Sequence, residues 1–167
     1  MKNSEVCGWG ALALRLFLVI ALSVLHAFVS IFTIENAFNP TTYILLFTES
    51  CDSDMLALVF QSVMHNLVTL LASYVFLLKK DERILVRKTW IFPLCVSVMY
   101  RILIQEANDS SLLEYINSSL IGNYFETITG YSSSFSCFLI LLGITLISLA
   151  YIIAIIYYNK TYKSENI

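Results

Sequence analysis

The residues whose types and spacing could carry chemistry lie inside an apolar stretch, at positions 55–78. Ser62, Asn66, Thr69 and Ser73 recur there at i, i+4, i+7 and i+11, which places them on one face of a helix. Polar groups inside a bilayer are costly and often mark pathways for substrates or ions. They also join neighbouring helices through hydrogen bonds. The polar face therefore predicts either a substrate path or a helix-packing surface.

Other polar side chains lie near this face or in the remaining apolar runs. His65 and Gln61 adjoin the polar face, and His26 and Arg101 lie in the runs before and after it. No Asp or Glu lies deep in any apolar run, whereas a proton-coupled transporter more commonly has a buried carboxylate. We therefore favour helix packing for the polar face, with transport or lipid binding as the alternative.

Arg101 is placed near the outer end of its apolar run. A long basic side chain at that depth can extend its charged head toward water while its stem stays in the apolar region. It can also pair with a carboxylate, and Glu35 and Glu106 are the nearest candidates at that end of the molecule. We expect one of these two arrangements.

Sequence motifs for catalysis and for metal binding are absent. The sequence has no HExxH, GxSxG or CxxC motif, and its cysteines have no His partner at metal-ligand spacing. We therefore expect no enzyme, no metal and no cofactor. No group of basic residues in the sequence suggests nucleic-acid binding, so we expect no nucleic-acid partner. Cys7, just before the first apolar run, is a candidate for palmitoylation. Cys51 and Cys137 both fall on the predicted non-cytoplasmic side of the membrane, so they are candidates for a disulfide.

The composition indicates an integral membrane protein. The 167-residue chain is 58% hydrophobic and 13% charged, whereas soluble domains have about 45–50% apolar and about 25% charged residues. About 20 apolar residues span the hydrocarbon core. The apolar runs predict one domain, 1–167, an all-α four-helix bundle. The predicted helices are about 11–34, 55–78, 89–105 and 135–158, and the first run is too long for the apolar region of a signal peptide.

A cluster of basic residues, Lys79–Lys88, sets the predicted orientation. Short loops rich in Lys and Arg stay in the cytoplasm, so this segment is expected inside, together with both termini. Positions 105–134 then lie outside. They contain two acceptor sequons, at Asn108 and Asn117, and Asn117 is the better site because Asn108 is closer to the membrane. Apolar residues at a helical period over 112–128 predict an interfacial amphipathic helix.

Three stretches resemble a known family of membrane proteins. They are Glu114-Tyr115-Ile116 leading to Cys137 and Leu139–Leu142, Ala150-Tyr151-Ile152 leading to Tyr157–Tyr162, and Trp90-Ile91-Phe92-Pro93. Each is similar to the lysosome-associated transmembrane protein family. That family typically has an acidic residue in its third helix, where this chain has Arg101. The Pro-Pro-x-Tyr motifs through which many of its members recruit ubiquitin ligases do not occur in this sequence.

The resemblance implies a four-helix fold, an endo-lysosomal location and a role in trafficking or in assisting other membrane proteins. We therefore expect a non-enzymatic multi-pass protein of late endosome or lysosome membranes, with the plasma membrane as the alternative location. Its expected partners are the lipid bilayer and other membrane proteins. The alternative function is a small transporter or lipid-binding bundle that uses the polar face together with His65 and Arg101.

Overall fold

A computed structural model describes residues 3–36, 53–107, 111–129 and 134–165 of the chain. These residues form helices and contain no strand, which confirms the all-α prediction for the described part. The helices are α1 (Asn3–Asn36), α2 (Ser53–Phe76), α3 (Lys80–Thr89), α4 (Ile91–Ala107), α5 (Ser111–Asn117), α6 (Leu120–Thr129) and α7 (Ser134–Glu165).

Among the described residues, three segments are long and apolar enough to cross a membrane. They are Gly10–Ile31 in α1, Val59–Phe76 in α2 and Ser134–Thr161 in α7, with mean hydropathies of 2.4, 1.3 and 2.8. Their length and composition indicate a membrane protein. The segment predicted as a further crossing corresponds to α4, whose apolar part is shorter, at Ile91–Ile104. At about 1.5 Å per residue, α4 is about 26 Å long.

Helices α2 and α7 lie at the centre of the packed helices. Helix α2 packs against α1, α4 and α7, and α7 also packs against α1 and α4 and against the short helices α3, α5 and α6. Apolar clusters join the elements, one between α1 and α7 and another around the end of α2. Their buried members are Ala27, Ile140, Leu141 and Ile144 in the first, and Leu70, Leu78, Val86, Ile152 and Ile155 in the second. Many large apolar side chains on the outer faces stay exposed, as lipid-facing residues would.

The basic segment predicted as a loop is instead helix α3, so that prediction was wrong. The Lys79 N–H donates to Glu82 Oε2 at 2.6 Å, and the carboxylate thereby satisfies a backbone donor before the first turn. Acidic residues occupy the first turn and Arg87 and Lys88 the last, which complements the helix dipole. Leu85 and Val86 pack into the cluster at the end of α2 and α7. The segment thus has charges that favour a helix and an apolar face to bury.

The single amphipathic helix predicted over 112–128 is two short helices, α5 and α6. Ser119 separates them, and its Oγ accepts a hydrogen bond from the Gly122 N–H at 3.1 Å, as an N-cap residue does. A Cβ at Gly122 would overlap the backbone of Asn117, so the corner needs glycine. Phe125 of α6 packs against Phe28, Phe135 and Phe138. Helix α6 therefore covers the end of the bundle where α7 begins.

The predicted helix ends differ from the observed ones by a few residues in most cases and by more at the two ends of the chain. Helix α2 ends at Phe76 rather than at position 78, and α7 continues to Glu165 beyond the predicted end at position 158. Helix α1 begins at Asn3 rather than at position 11. Hydropathy locates the apolar part of a helix, whereas α1 and α7 extend into polar sequence where hydropathy gives no signal.

Candidate functional site

The polar face of α2 is turned inward, toward α1, α4 and α7. Ser62, Asn66, Thr69 and Ser73 are all fully buried, and so is His65 beside them. Buried polar groups need hydrogen-bond partners because an unpaired group loses its hydration without compensation. The partners of these residues show what the face does.

Asn66 links three helices. Its Nδ2 donates to Ser97 Oγ of α4 at 2.7 Å and to Ser148 Oγ of α7 at 2.9 Å. The Ser97 hydroxyl donates its hydrogen to the Pro93 carbonyl, and the Ser148 hydroxyl donates its hydrogen to the Ile144 carbonyl. Each serine oxygen therefore accepts the hydrogen bond from Asn66. The two amide hydrogens of Asn66 thus have one hydroxyl acceptor each. Of the Asn66 amide, only Oδ1 is without a hydrogen bond.

His65 forms a second link, between α1, α2 and α7. Its Nε2 lies 2.8 Å from Thr145 Oγ1, and its Nδ1 lies 3.0 Å from His26 Nδ1. Thr145 donates its hydrogen to the Leu141 carbonyl, so its oxygen accepts from His65 Nε2–H. His65 is then the neutral Nε2–H tautomer, and His26 Nδ1–H donates to its bare Nδ1.

A third link joins α1 to α2 one turn further along. The hydroxyls of Ser23 and Thr69 lie 3.1 Å apart, and either can donate. Each also approaches a carbonyl of its own helix, at Val19 and His65. Ser73, the last member of the face, is buried and its hydroxyl makes no hydrogen bond. The polar face is therefore used mainly for contacts between helices.

Arg101 lies in a different setting, near the end of the bundle where α7 begins. Its side chain is only 3% exposed, so the expected extension of its head group to water is wrong. The guanidinium lies against the Cys137 thiol, and its Nε and Nη1 make no hydrogen bond. The side chains of Glu35 and Glu106, the other expected partners, lie outside the described part of the chain.

Gln61 and Ser134 contribute further unpaired groups near Arg101. Cys137 Sγ donates to Gln61 Oε1 at 3.4 Å, whereas Gln61 Nε2 has no acceptor. The Ser134 hydroxyl, one turn before Cys137, is also without a partner. The unpaired groups at this end are thus donors or hydroxyls accompanied by one positive charge, an arrangement that suits an anionic group.

The amide of Asn117 holds the beginning of α7. Its Oδ1 accepts from the Ser136 N–H at 3.0 Å, and its Nδ2 donates to Ser136 Oγ at 3.2 Å. The Oδ1 therefore satisfies one of the backbone donors that a helix leaves unpaired at its first turn. Glycosylation of Asn117 stays a prediction, and Asn108 lies outside the described residues.

The predicted cysteine modifications are not tested by the structure. Cys137 is a free thiol, half-buried against Gln61. Its candidate disulfide partner Cys51, and the side chain of the palmitoylation candidate Cys7, lie outside the described part. Among the residues that are described, no group of three or more His, Cys, Asp or Glu side chains could hold a metal ion.

Sequence reasoning missed the residues that receive the hydrogen bonds of α2. Ser97, Thr145 and Ser148 are all buried partners, yet they stand singly in apolar runs. Thr145 and Ser148 are three residues apart on α7, and this helical spacing was the sequence signal that could have indicated a second polar face.

Compared with known proteins, the chain matches no family model, no curated protein and no solved structure.

Proposed function

We propose that this protein crosses the membrane four times, with α4 as the fourth crossing and both termini in the cytoplasm. Its proposed role is to accompany or regulate other membrane proteins or lipids in late endosome or lysosome membranes, without catalysing a reaction. The plasma membrane is the alternative location. The observation that carries the proposal is the contrast between the inner and outer faces of the helices.

The inner faces hold the polar side chains, and those of Asn66, His65 and Thr69 are bonded to other helices. The outer face of α1 carries large exposed apolar side chains, among them Leu14 and Phe17. Such a surface can contact lipid or another apolar helix. Lateral association in the membrane is the activity that this distribution supports best.

The fourth crossing and the location have their own support. Helix α4 packs against α2 and α7, which are both apolar enough to cross a membrane, and its lipid-facing side carries exposed Phe92, Met99 and Leu103. The endo-lysosomal address is what the resemblance to the lysosome-associated transmembrane protein family implies.

Localisation and a surface variant test the proposal together. A tagged full-length protein is expected in vesicles that carry late-endosome or lysosome markers, and confinement to the endoplasmic reticulum would contradict the proposed location. Phe17→Ala on the outer face of α1 is expected to lower proximity labelling of neighbouring membrane proteins without changing thermal stability. Leu146→Ala, on the exposed face of α7, is the matched control. Equal labelling by wild type and Phe17→Ala would contradict the proposed role of α1.

A second candidate function is ligand binding or transport, and Arg101 favours it. A buried guanidinium with two nitrogens unpaired is costly in an apolar setting. The donors of Arg101 and Gln61 would be satisfied by an anionic group entering from the end of the bundle near Ser134. The polar face of α2 would then continue the path of the anionic group from that end of the bundle toward the opposite side of the membrane.

Stabilisation by small anions tests this second candidate. The thermal stability of the purified protein would be compared in chloride, inorganic phosphate and oleate, for wild type, Arg101→Leu and Asn66→Leu. If the bundle binds an anion, at least one of these probes stabilises the wild type and the stabilisation is lost in Arg101→Leu. If no probe stabilises the wild type and both variants merely unfold at lower temperature, the polar residues serve helix packing alone.

A further inference from the structure

A groove runs between α2 and α3 at the basic end of the bundle. It encloses about 220 Å³ and has an apolar floor with one charged residue. Its lining includes Leu67, Leu71, Tyr74, Val86, Arg87 and Trp90. Aromatic residues such as Tyr74 and Trp90 are typical of the level where lipid headgroups meet the hydrocarbon. The groove therefore lies at the depth where a lipid has both an apolar chain and a polar head.

Arg87 is held in place at this groove by Tyr74. Its Nε donates to the Tyr74 hydroxyl at 3.0 Å, and its guanidinium carbon lies 5.8 Å from the centre of the Tyr74 ring. Within the described part of the chain, its two terminal nitrogens make no hydrogen bond. A guanidinium fixed at Nε presents those nitrogens as a planar fork, which matches two oxygens of a phosphate.

The neighbouring arginine does not have this freedom. Arg83 donates from Nε to the Leu78 carbonyl and from Nη2 to the Val75 carbonyl. It thereby satisfies carbonyl groups left unpaired at the end of α2. Arg87 is thus the arginine of α3 that is positioned for a ligand.

The charge of α3 sets the class of ligand. The segment carries two acids, of which Glu82 is buried and accepts from the backbone of Lys79. The bases outnumber them, and they are Lys79, Lys80, Arg83, Arg87 and Lys88. Basic clusters on a helix beside a membrane span attract anionic lipids. We propose that the groove between α2 and α3 binds an anionic phospholipid, with its phosphate on the terminal nitrogens of Arg87 and an acyl chain along Leu71 and Leu67.

This site goes beyond the proposed function, because it requires only that α3 lie at a lipid surface. With the basic end in the cytoplasm, the lipid would belong to the cytoplasmic leaflet. The binding itself can be measured in nanodiscs, where neither the organelle nor the orientation matters. Failure of the site would therefore leave the proposed location and role untouched.

Fluorescence of Trp90 offers a direct measurement, since the chain has only two tryptophans. In the Trp9→Phe variant, Trp90 is the sole tryptophan, and its emission is quenched by a brominated acyl chain that enters the groove. The probes are brominated-chain phosphatidylserine and brominated-chain phosphatidylcholine, each diluted into unbrominated phosphatidylcholine nanodiscs. Half-maximal quenching is expected at a fraction of phosphatidylserine about tenfold lower than that of phosphatidylcholine. Both lipids carry the phosphate, but only phosphatidylserine has a net negative charge, which the basic residues of α3 attract.

Two substitutions in that background separate the site from general charge attraction. Arg87→Lys keeps the charge but removes the fork, so half-maximal quenching is expected at an about tenfold higher fraction of phosphatidylserine than in the Trp9→Phe background, whereas Arg15→Lys on α1 is expected to leave that fraction unchanged. Leu71→Phe fills the groove without a change of charge and is expected to weaken quenching by phosphatidylserine, whereas Leu146→Phe on α7 is the control. Equal quenching by both lipids, or an unchanged half-maximal fraction of phosphatidylserine in Arg87→Lys, would overturn the proposal.

Discussion

At the scale of single residues, Asn66 shows why a polar side chain can be kept inside a membrane helix. Its amide nitrogen bonds to Ser97 and Ser148, and each serine also donates to a carbonyl of its own helix. The arrangement gives each hydrogen an acceptor and brings α4 and α7 onto α2. A polar residue with partners on two other helices stabilises their relative rotation, not merely their association.

We expect Asn66→Leu to lower the free energy of unfolding by about 1–2 kcal/mol, the order of measured interhelical hydrogen bonds in membranes. The serine hydroxyls would keep their carbonyl acceptors, so the loss should stay moderate. Unfolding in mixed micelles with increasing denaturing detergent measures it. Met64→Leu, on the exposed side of α2, is the control, and a loss no larger than that of the control would contradict the proposed link.

The amide nitrogen of Asn117 is both the predicted glycan acceptor and a hydrogen-bond donor to Ser136. Substitutions at this sequon can therefore test glycosylation and helix capping together. Asn117→Gln removes the sequon together with the hydrogen bonds to Ser136. Ser119→Asn removes the sequon alone, since Asn is also a good N-cap for α6 and its amide nitrogen can replace the donor of the hydrogen bond from Ser119 Oγ to the Ile116 carbonyl. We expect both variants to lose a glycosidase-sensitive gel shift. Only Asn117→Gln should lower stability, by about 1 kcal/mol, the order of a lost helix cap.

The two readouts can fail separately. A glycosidase-sensitive shift that persists in both variants would place the glycan at Asn108 or, with the opposite topology, at Asn159 of the sequon Asn159-Lys160-Thr161. Equal stability of Asn117→Gln and Ser119→Asn would show that the contact with Ser136 contributes little. A wild type without any shift would remove the glycan as support for an outer location of positions 105–134.

At the scale of helices, Gly143 of α7 lies directly against the Tyr100 side chain of α4. A Cβ added there would overlap the hydroxyl and ring of Tyr100, so the absence of a side chain allows this contact. We expect Gly143→Ala to destabilise the protein by about 1–3 kcal/mol, as overpacking does. In a Tyr100→Ala background the same change should have little effect, because the overlap is gone.

The double-mutant cycle measures this coupling directly, with melting temperature as the readout. Gly10→Ala is the matched control, since a Cβ at Gly10 meets nothing within 4 Å. If the effects of Gly143→Ala and Tyr100→Ala simply add, the two residues do not interact and the close approach of α4 and α7 at this point is not supported.

Helix α3 illustrates how charges can build an element as well as orient the chain. Arg83 and Arg87 lie over the Tyr74 ring, at 5.1 and 5.8 Å, and Thr89 Oγ1 lies 2.6 Å from the Tyr151 hydroxyl of α7. Both contacts tie α3 to the spanning helices. The basic residues that indicate a cytoplasmic location therefore also hold α3 against the bundle.

At the scale of the whole molecule, α3 and α6 pack on different halves of α7. Val86 of α3 packs near Ile152 and Ile155 in the second half of α7, whereas Phe125 of α6 packs on Phe135 and Phe138 at its beginning. Since α7 is apolar enough to cross a membrane, the two short helices should face opposite compartments.

Cysteine labelling in cells tests that orientation. Lys80→Cys on α3 and Glu126→Cys on α6 both replace exposed residues. With a membrane-impermeant maleimide on intact cells expressing the protein at their surface, we expect labelling of Glu126→Cys above the unsubstituted protein and none of Lys80→Cys until the cells are permeabilised. Labelling of both in intact cells would contradict the crossing by α7, and the reverse pattern would invert the proposed topology.

The sequence by itself determined the membrane class, the position of the apolar helices and the polar face of α2. These follow from hydropathy and from helical spacing, which are local properties of the chain. Only the tertiary structure decided that Ser97, Thr145 and Ser148 receive the hydrogen bonds of that face and that Arg101 is buried. Such contacts depend on how each helix is rotated and how deep it lies, and packing against helices distant in sequence sets both.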